Sequence, residues 1–397
     1  MPSLYLERYA WPQELFPSYQ PHKDLAQIVV IPCFKEPDLV GALESISDCQ
    51  YPNGKLIVLV VLNEPENASK EIRQANEQTL KELQAFRCNY PLLVTRQRLP
   101  EKKAGVGMAR KIGMDEAVRL FRKVGKDGPI VCYDADCRCD TNYLEEIERI
   151  YENPDAQAGI VFYEHRLHRD NHEAIVDYEL YLRYYIDALR YAGFPYAHQT
   201  LGSCITVRAS MYEKVGGMNT RKAGEDFYFL NKTIPQGGFV EINNTTIRPS
   251  DRVSDRVPFG TGKAVNDLLN ATEEYSVYHP NTFEDLRLFF QKVDDFWTKD
   301  EWKVPRTIST FLEDDWQAQI QTLKGKVSSQ EQFRKRFFHW FDAFKILKFV
   351  HFCRDEFYQN VELEEALEWL RSKHLFVKGS KESYLVQLRY LDRETRI

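Results

Sequence analysis

Two aspartates one residue apart, Asp134 and Asp136, are the residues whose type and spacing point most directly to chemistry. They follow the apolar run 129–133, which predicts a buried strand. Acids at the end of such a strand lie at the carboxyl edge of an open α/β sheet, where ligands bind. The single intervening residue lets both carboxylates address one hard cation, and oxygen ligands favour Mg²⁺ or Mn²⁺. Such a cation holds a diphosphate and neutralises its departing charge.

The elements that must position these acids alternate along the first half of the chain. Apolar strands are predicted at 27–32, 55–62, 91–95, 129–133 and 158–162, and helices at 37–47, 68–86, 103–124 and 140–151. This order, with uniformly apolar strands, predicts an α/β fold in which helices cover both faces of a mostly parallel sheet. A helix at 173–191, a short strand at 201–207 and a short helix at 224–233 are predicted to follow.

Beyond about residue 265, strand signals give way to amphipathic helices. The clearest is predicted from Ser328 to about residue 353, where Ser328 and Glu331 have the spacing of a capping box. Its aromatic stripe is interpreted as core, and a peripheral membrane contact through the neighbouring basic residues is the alternative. We therefore expect an N-terminal extension, a catalytic domain and a helical C-terminal region, with bounds at 1–26, 27–270 and 271–397.

Composition excludes several classes of protein. With 397 residues the chain exceeds the usual size of one hydrophobic core. Its net charge of −6 argues against a nucleic-acid partner, which would require a basic face. The eight cysteines are scattered, so we expect reduced thiols rather than zinc ligands or a disulfide framework. The N-terminus has no apolar signal core, which favours a cytoplasmic protein, either free or at the inner face of the membrane.

Five segments together resemble the family 2 glycosyltransferases, which have the GT-A fold. In chain order they are Val30–Glu36, Lys103–Gly113, Asp134–Asp136, Leu201–Gly217 and Ala223–Asp226. They are similar to the family's Ile-Pro-x-Tyr-Asn-Glu opening, its Asn-x-Gly-x-x-x-Ala-Arg-Asn-x-Gly, its Asp-x-Asp, its Gly-Ser segment ending in Val-Gly-Gly and its Glu-Asp pair. The ordered set is more specific than any one member. The resemblance covers about residues 27–245 and implies a nucleoside-diphosphate sugar as donor.

The resemblance also implies where the base and ribose of this donor bind. Pro32 ends the first strand, and Phe34 would offer a flat face to the base, with a core phenylalanine as the alternative. Glu36 would bond the base or ribose, or else serve as an acid at the start of a helix. At Asn63 the sequence departs from the family, which usually carries an aspartate that reads uracil. The identity of the base is therefore left open.

Basic residues and glycines are candidates for holding the diphosphate. By the resemblance, Lys103 and Gly105 lie against the donor, and the planar guanidinium of Arg110 suits phosphate or ribose oxygens. Arg252 and Arg256 belong to a loop that would close over the donor and meet the leaving phosphate. Solvated or ion-paired arginines are the alternative for the arginine positions.

Acids and one histidine are candidates for the metal and for catalysis. The resemblance makes Asp136 the ligand of metal and diphosphate, and Asp134 a ribose contact or metal ligand, with capping of the next helix as the alternative for both. Apart from the resemblance, His279 is a candidate third metal ligand, with a polar surface residue as the alternative. The resemblance also makes Asp226 the base of an inverting displacement, and Glu225 an acceptor-binding residue. Both lie at a predicted helix start, where the helix dipole keeps a carboxylate ionised.

The sequence thus predicts a GT-A-like glycosyltransferase that uses Mg²⁺ or Mn²⁺. Its acceptor would be a carbohydrate or a lipid-linked molecule, and its oligomeric state is left open. A sugar-nucleotide nucleotidyltransferase is one alternative, although residues 32–36 lack the Gly-rich loop such enzymes carry. A non-catalytic nucleotide-sugar binding protein and a retaining transferase are the others.

Overall fold

The structure is a computed structural model that describes residues 3–167, 171–253, 260–270, 275–299, 302–374 and 377–394. Its strands are β1 (Gln27–Cys33), β2 (Leu56–Pro65), β3 (Leu92–Leu99), β4 (Pro129–Cys132), β5 (Arg138–Cys139), β6 (Ala158–Tyr163), β7 (Ile205–Arg208), β8 (Phe239–Arg248), β9 (Ser276–Val277) and β10 (Val361–Glu362). Its helices are α1 (Leu4–Arg8), α2 (Leu39–Ser47), α3 (Lys70–Ala85), α4 (Val106–Lys123), α5 (Tyr143–Tyr151), α6 (His172–Ala192), α7 (Ala209–Lys214), α8 (Glu225–Thr233), α9 (Thr261–Leu269), α10 (Pro280–Phe290), α11 (Val293–Thr298), α12 (Arg306–Leu312), α13 (Trp316–Lys324), α14 (Gln330–Trp340), α15 (Ala343–Glu356), α16 (Leu363–Lys373) and α17 (Lys381–Arg393).

Eight strands form the main sheet, in the order β3-β2-β1-β4-β7-β6-β8-β5. The pairs β1–β2, β2–β3, β1–β4 and β6–β8 are parallel. Strand β7 runs antiparallel to β4 and β6, and β5 runs antiparallel to β8. The α/β sheet and the helical region after it are therefore confirmed as the fold class, with antiparallel strands that the apolar pattern alone did not predict.

Helices cover both faces of the parallel part of the sheet. The chain moves outward from β1 to β2 to β3. It then returns through α4, past β2 and β1, to β4 on the other side of β1. Because such crossovers are right-handed, the reversal of direction places α4 on the face opposite α2 and α3. Gly113 of α4 meets the sheet closely, since a Cβ there would lie 2.4 Å from Cγ1 of Val30. The strands β1 and β2 are accordingly buried along nearly their whole length.

The chain divides by its internal contacts into two units. The described residues of 1–168, 200–264 and 392–397 form the first unit, and those of 169–199 and 265–391 form the second. The first contains the main sheet. The second is mostly helical and includes α6, which packs against α10 and α16. The domain boundaries expected at residues 26, 27, 270 and 271 stay predictions.

The long helix predicted from Ser328 onward is two helices. Helix α14 ends at Trp340 and α15 begins after Asp342, whose side chain accepts a hydrogen bond from the Lys345 amide and so caps the new helix. The cap is also one residue later than predicted, because Ser329 rather than Ser328 accepts the amide of Gln332. The aromatic stripe is largely buried, as expected of core, while the membrane contact stays a prediction. Within the described residues, every helix is too short or too polar to cross a membrane.

Two buried acids of α4 bind the N-terminal segment of the first unit. The Asp115 carboxylate accepts a hydrogen bond from the Trp11 amide at 2.6 Å. The Glu116 carboxylate accepts the amides of Leu15 and Phe16, each at 3.1 Å. Charge-assisted bonds of this kind are among the stronger ones in proteins. The segment predicted as an extension is therefore bound to the face of α4.

Candidate functional site at the carboxyl edge of the sheet

The candidate residues follow strands that end at the same edge of the sheet. Strands β1 and β4 pair in parallel with Val30 opposite Cys132, so Glu36, just beyond β1, and Asp134, just beyond β4, extend past the same edge. Pro32 lies within β1 opposite Val61 of β2, and is buried. Parallel strands place their carboxyl ends together, as the spacing of Asp134 and Asp136 after the apolar run led us to expect.

Arg252 links the first of these acids to the second aspartate. Its Nη2 atom donates hydrogen bonds to both carboxylate oxygens of Glu36, at 3.0 and 2.8 Å, and lies 3.7 Å from Oδ2 of Asp136. The Glu36 side chain is 1% exposed and also accepts the amide of Asp38 at 3.0 Å. We call Glu36, Arg252 and Asp136 the Arg252 bridge. It brings three predicted site residues from three separate segments into contact.

Arg110 makes a second and more deeply buried link. Its Nη2 atom donates to Oδ1 of Asp134 at 2.6 Å, and its Nη1 atom donates to Oε1 of Glu225. The Arg110 side chain is 2% exposed. We call Asp134, Arg110 and Glu225 the Arg110 bridge. It joins the segment after β4 to the first residue of α8, where Asp226 follows.

Two glycines allow the Arg110 bridge to form. A Cβ on Gly202 would lie 2.5 Å from Nη1 of Arg110, so only a glycine leaves room for the guanidinium. A Cβ on Gly107, at the start of α4, would lie 2.2 Å from the Arg221 carbonyl oxygen and 3.0 Å from Cβ of Glu225. The Gly-rich start of α4 therefore lets the loop before α8 approach closely.

The acids at the start of α8 titrate above their ordinary range. Burial, the charge of Asp226 and the charge of Asp134 raise the pKa of Glu225 to about 7, although Arg110 opposes this. Burial is also the largest cause that raises the pKa of Asp226, with Asp134 adding to it and Arg110 again opposing. One oxygen of Asp226 accepts the Phe227 amide at 2.7 Å. The charge of Asp134 raises the pKa of both acids. The predicted metal ligand Asp134 and the predicted base Asp226 therefore interact electrostatically.

Asp134 and Asp136 have the chemistry of Mg²⁺ or Mn²⁺ ligands. Their side chains are 37% and 26% exposed, so both carboxylates are partly accessible to solvent. Among the described residues, no group of three or more His, Cys, Asp and Glu side chains is arranged to hold a metal ion. Proteins commonly hold Mg²⁺ with one or two carboxylates plus substrate phosphates, and a metal-binding role of the two aspartates stays a prediction.

His279 belongs to the second unit. Its Nδ1 atom accepts the Asn281 amide at 3.0 Å, which caps α10, and its ring stacks on Tyr358. These contacts give it a structural role, and a metal-binding role stays a prediction. Arg256 lies outside the described residues. Contacts of Phe34, Lys103 and Gly105 with a donor likewise stay predictions.

Sequence reasoning missed a charged cluster beside Asn63. Asn63 is buried near the end of β2, and its neighbour Glu64 accepts hydrogen bonds from Arg96 at 2.9 Å, Arg98 at 2.9 Å and Asn76 at 3.1 Å. Burial would raise the pKa of Glu64, but the bonds from Arg96, Asn76 and Arg98 lower it below the ordinary value. The alternation of Arg96 and Arg98 along β3 was the available signal, because residues two apart share a face of the sheet.

Comparisons with known proteins give structural neighbours only. No protein-family model matches the chain, and no curated protein matches its sequence. It is similar to S. aureus TarS 1–349, solved in complex with UDP-GlcNAc, at 13% identity and a TM-score of 0.44, over 80% of this chain and 91% of that one. It is also similar to the mannosyltransferase PcManGT from Pyrobaculum calidifontis, solved with GDP-Man and Mn²⁺, at 13% identity and a TM-score of 0.38, over 98% and 90%. At these values the likeness says nothing about the reaction of this chain.

Proposed function

We propose that this protein is a glycosyltransferase that moves a sugar from a nucleoside-diphosphate sugar to an acceptor hydroxyl, with Mg²⁺ or Mn²⁺ and with inversion. The observation that supports it best is the Arg110 bridge. This bridge holds Asp134, at the end of β4, beside the Glu225-Asp226 pair at the start of α8. In the proposal, an acid that helps to bind the metal and diphosphate, Asp134, is thereby held close to the acid that acts as the base, Asp226.

In this proposal Asp136 and Asp134 hold the cation, which when bound would neutralise the charge of the diphosphate. Asp226 takes the proton from the acceptor hydroxyl. The acceptor oxygen then forms a bond to the anomeric carbon as the bond from that carbon to the diphosphate oxygen breaks, and the nucleoside diphosphate leaves. The raised pKa of Asp226 makes its carboxylate a stronger proton acceptor, as general base catalysis requires.

The remaining residues have supporting roles. Glu225 positions the acceptor next to Asp226, and Arg110 holds Glu225 and Asp134 in register. Arg252 meets the leaving diphosphate by exchanging its carboxylate partners for phosphate oxygens, which its guanidinium binds in the same way.

The donor and acceptor contacts complete the proposal. Arg256, Lys103 and Gly105 also line the donor, and Phe34, Glu36 and Asn63 contact its base or ribose. The acceptor is a carbohydrate or lipid-linked molecule, and a lipid-linked one would match a cytoplasmic enzyme with a peripheral membrane contact.

Donor binding is tested first. Nucleoside diphosphates of each base are screened by thermal shift with and without Mn²⁺, because a ligand bound only by the folded state raises Tm by mass action. We expect one base to raise Tm more than the others, and Mn²⁺ to increase that shift. The substitution Asp136→Asn should remove the Mn²⁺-dependent part. No shift with any nucleoside diphosphate would contradict the proposal.

Catalysis is tested with the donor so identified. Asp226→Asn should abolish transfer while the donor still binds, whereas Asp155→Asn, an exposed acid elsewhere in the first unit, should leave turnover unchanged. Near-normal turnover by Asp226→Asn would remove it as the base. Donor binding without transfer or hydrolysis by the unmodified protein would instead indicate a binding protein. The anomeric configuration of the product distinguishes inversion from retention.

A further inference from the structure

Two thiols lie side by side in the first unit, and neither has a role in the proposed reaction. Cys49 follows α2, and Cys139 is the last residue of β5, three residues after Asp136. Their Sγ atoms are 3.8 Å apart, although the residues are 90 apart along the chain. Both side chains are half-buried rather than sealed in the core. A disulfide has a sulfur–sulfur distance of about 2.05 Å, so the two atoms would need to approach by roughly 1.8 Å.

The surroundings of the pair favour one sulfur as the nucleophile. The hydrogen bond from Cys49 is the largest effect on Cys139 and lowers the pKa of its thiol, and the Ser45 hydroxyl lowers it further, although burial opposes both. The Cys139 amide also donates to Oγ of Ser45 at 2.8 Å, which fixes the backbone beside the sulfur. Cys49 then stands where a second thiol must be to resolve an oxidised Cys139.

We propose that Cys49 and Cys139 form a reversible disulfide when the protein meets a peroxide. The Cys139 thiolate attacks one peroxide oxygen, so that an S–O bond forms as the O–O bond breaks. Cys139 becomes a sulfenic acid, and the other oxygen leaves as hydroxide. The Cys49 sulfur attacks the sulfenic sulfur, which forms the S–S bond and releases the sulfenic oxygen as water. Two thiols are oxidised, one peroxide is reduced, and a thiol reductant restores both cysteines. This proposal is independent of the proposed function.

The bond would strengthen a connection that already exists. Arg138, the other residue of β5, pairs with Asp38 at the start of α2, so the same two elements are held at one point by an ion pair. The disulfide would add a covalent link at the far end of α2. It would thereby fix β5, which begins two residues after Asp136.

Trypsin separates the two cysteines from the other six. Cys49 is the only cysteine of peptide 36–55 and Cys139 the only one of peptide 139–149, while Cys137 falls in peptide 127–138. The full native chain is treated with hydrogen peroxide, unreacted thiols are alkylated, and the digest is analysed by mass spectrometry. We expect a linked 36–55/139–149 peptide, the loss of two thiols, and a Tm higher by several degrees that a reductant reverses, since the crosslink restrains the unfolded chain.

Single substitutions provide the controls. Cys49→Ser and Cys139→Ser should each abolish the linked peptide and the rise in Tm, while Cys88→Ser, which removes another half-buried thiol, should preserve both. The proposal is overturned if both cysteines of the unmodified protein stay open to alkylation after peroxide. It is equally overturned if Cys139 becomes a sulfinic or sulfonic acid while Cys49 stays a thiol, or if a linked peptide joins other cysteines.

Discussion

Arg110 and Arg252 both tie the Asp134–Asp136 turn to an acid elsewhere in the chain, but from different kinds of structure. Arg110 projects from an 18-residue helix and is 2% exposed. Arg252 lies in the segment after β8 and is 36% exposed. Each Nη atom of Arg110 meets a different acid, whereas Arg252 uses one Nη atom for its contacts with Glu36 and Asp136.

This difference separates a fixed residue from one able to exchange partners. If Arg110 moved, it would leave Glu225 as a buried acid without its cation, and unpaired buried charges are costly. Arg252 is closer to water, and Glu36 keeps the Asp38 amide when Arg252 turns away. We therefore expect Arg110 to hold the acids of the site in place, and the phosphate-binding role of Arg252 stays a proposal.

The largest effect is expected from removing Arg110. Arg110→Met should lower the free energy of unfolding by about 3–5 kcal/mol, because it breaks a buried ion pair by deleting one partner. Urea denaturation at neutral pH measures the change. A loss below about 1 kcal/mol would show that Asp134 and Glu225 do not depend on this cation.

The free energy of unfolding should depend on pH through the ionisation of Glu225 in the Arg110 bridge. The pKa of Glu225 rises from its ordinary 4.5 to about 7, so the folded state holds this proton more tightly than the unfolded state. Its stabilising contribution is therefore fully present below about pH 4.5 and is lost as the pH rises through 7. Relative to Glu225→Gln, the unmodified protein should lose up to about 3 kcal/mol of unfolding free energy over this range. Urea denaturation at a series of pH values tests this, and a constant or growing difference would contradict it.

Crowding the guanidinium should have a smaller effect. Gly202→Ala places a methyl group against Nη1 and Nη2 of Arg110, and overpacking of this kind costs about 1–3 kcal/mol. The matched control is Gly325→Ala, because Gly325 has an ordinary φ of −65° and a Cβ there would lie 3.5 Å from its nearest neighbour. The control should stay within about 0.5 kcal/mol of the unmodified protein. Equal effects of the two substitutions would show that Arg110 tolerates displacement.

The smallest change in stability is expected from Arg252→Met, about 1 kcal/mol by urea denaturation, since the pair is partly exposed. If the proposed function holds, the same substitution should raise the donor KM about tenfold, equivalent to about 1.4 kcal/mol, in the transfer assay. A loss of stability as large as that of Arg110→Met would remove the distinction between the two arginines.

The sequence predicted where the acids lie, and not which residues they contact. The positions of Asp134 and Asp136 depend on the end of a local apolar run. The contacts of Arg110 depend on residues 24 and 115 positions away, which no local pattern encodes. A guanidinium binds carboxylate and phosphate with the same geometry, so the sequence could not show that Arg110 contacts two acids, and its contact with the donor stays a prediction.

The missed elements have a similar cause. Strand β8 carries Asn243, Asn244, Thr245 and Thr246, so its apolar signal is weak, and its place is determined by pairing with β6 and β5. Strand β5 has only two residues. The break between α14 and α15 depends on Asp342, an acid that also fits a helix surface and reveals its capping role only through the backbone geometry.

The attachment of the N-terminal segment to α4 has a consequence for synthesis on the ribosome. The amides of Trp11, Leu15 and Phe16 leave the ribosome about 100 residues before the carboxylates of Asp115 and Glu116 that accept them. At about 5–20 residues per second, this segment waits in water for several seconds. These three amides can therefore reach their native partners only after about 100 further residues have been made.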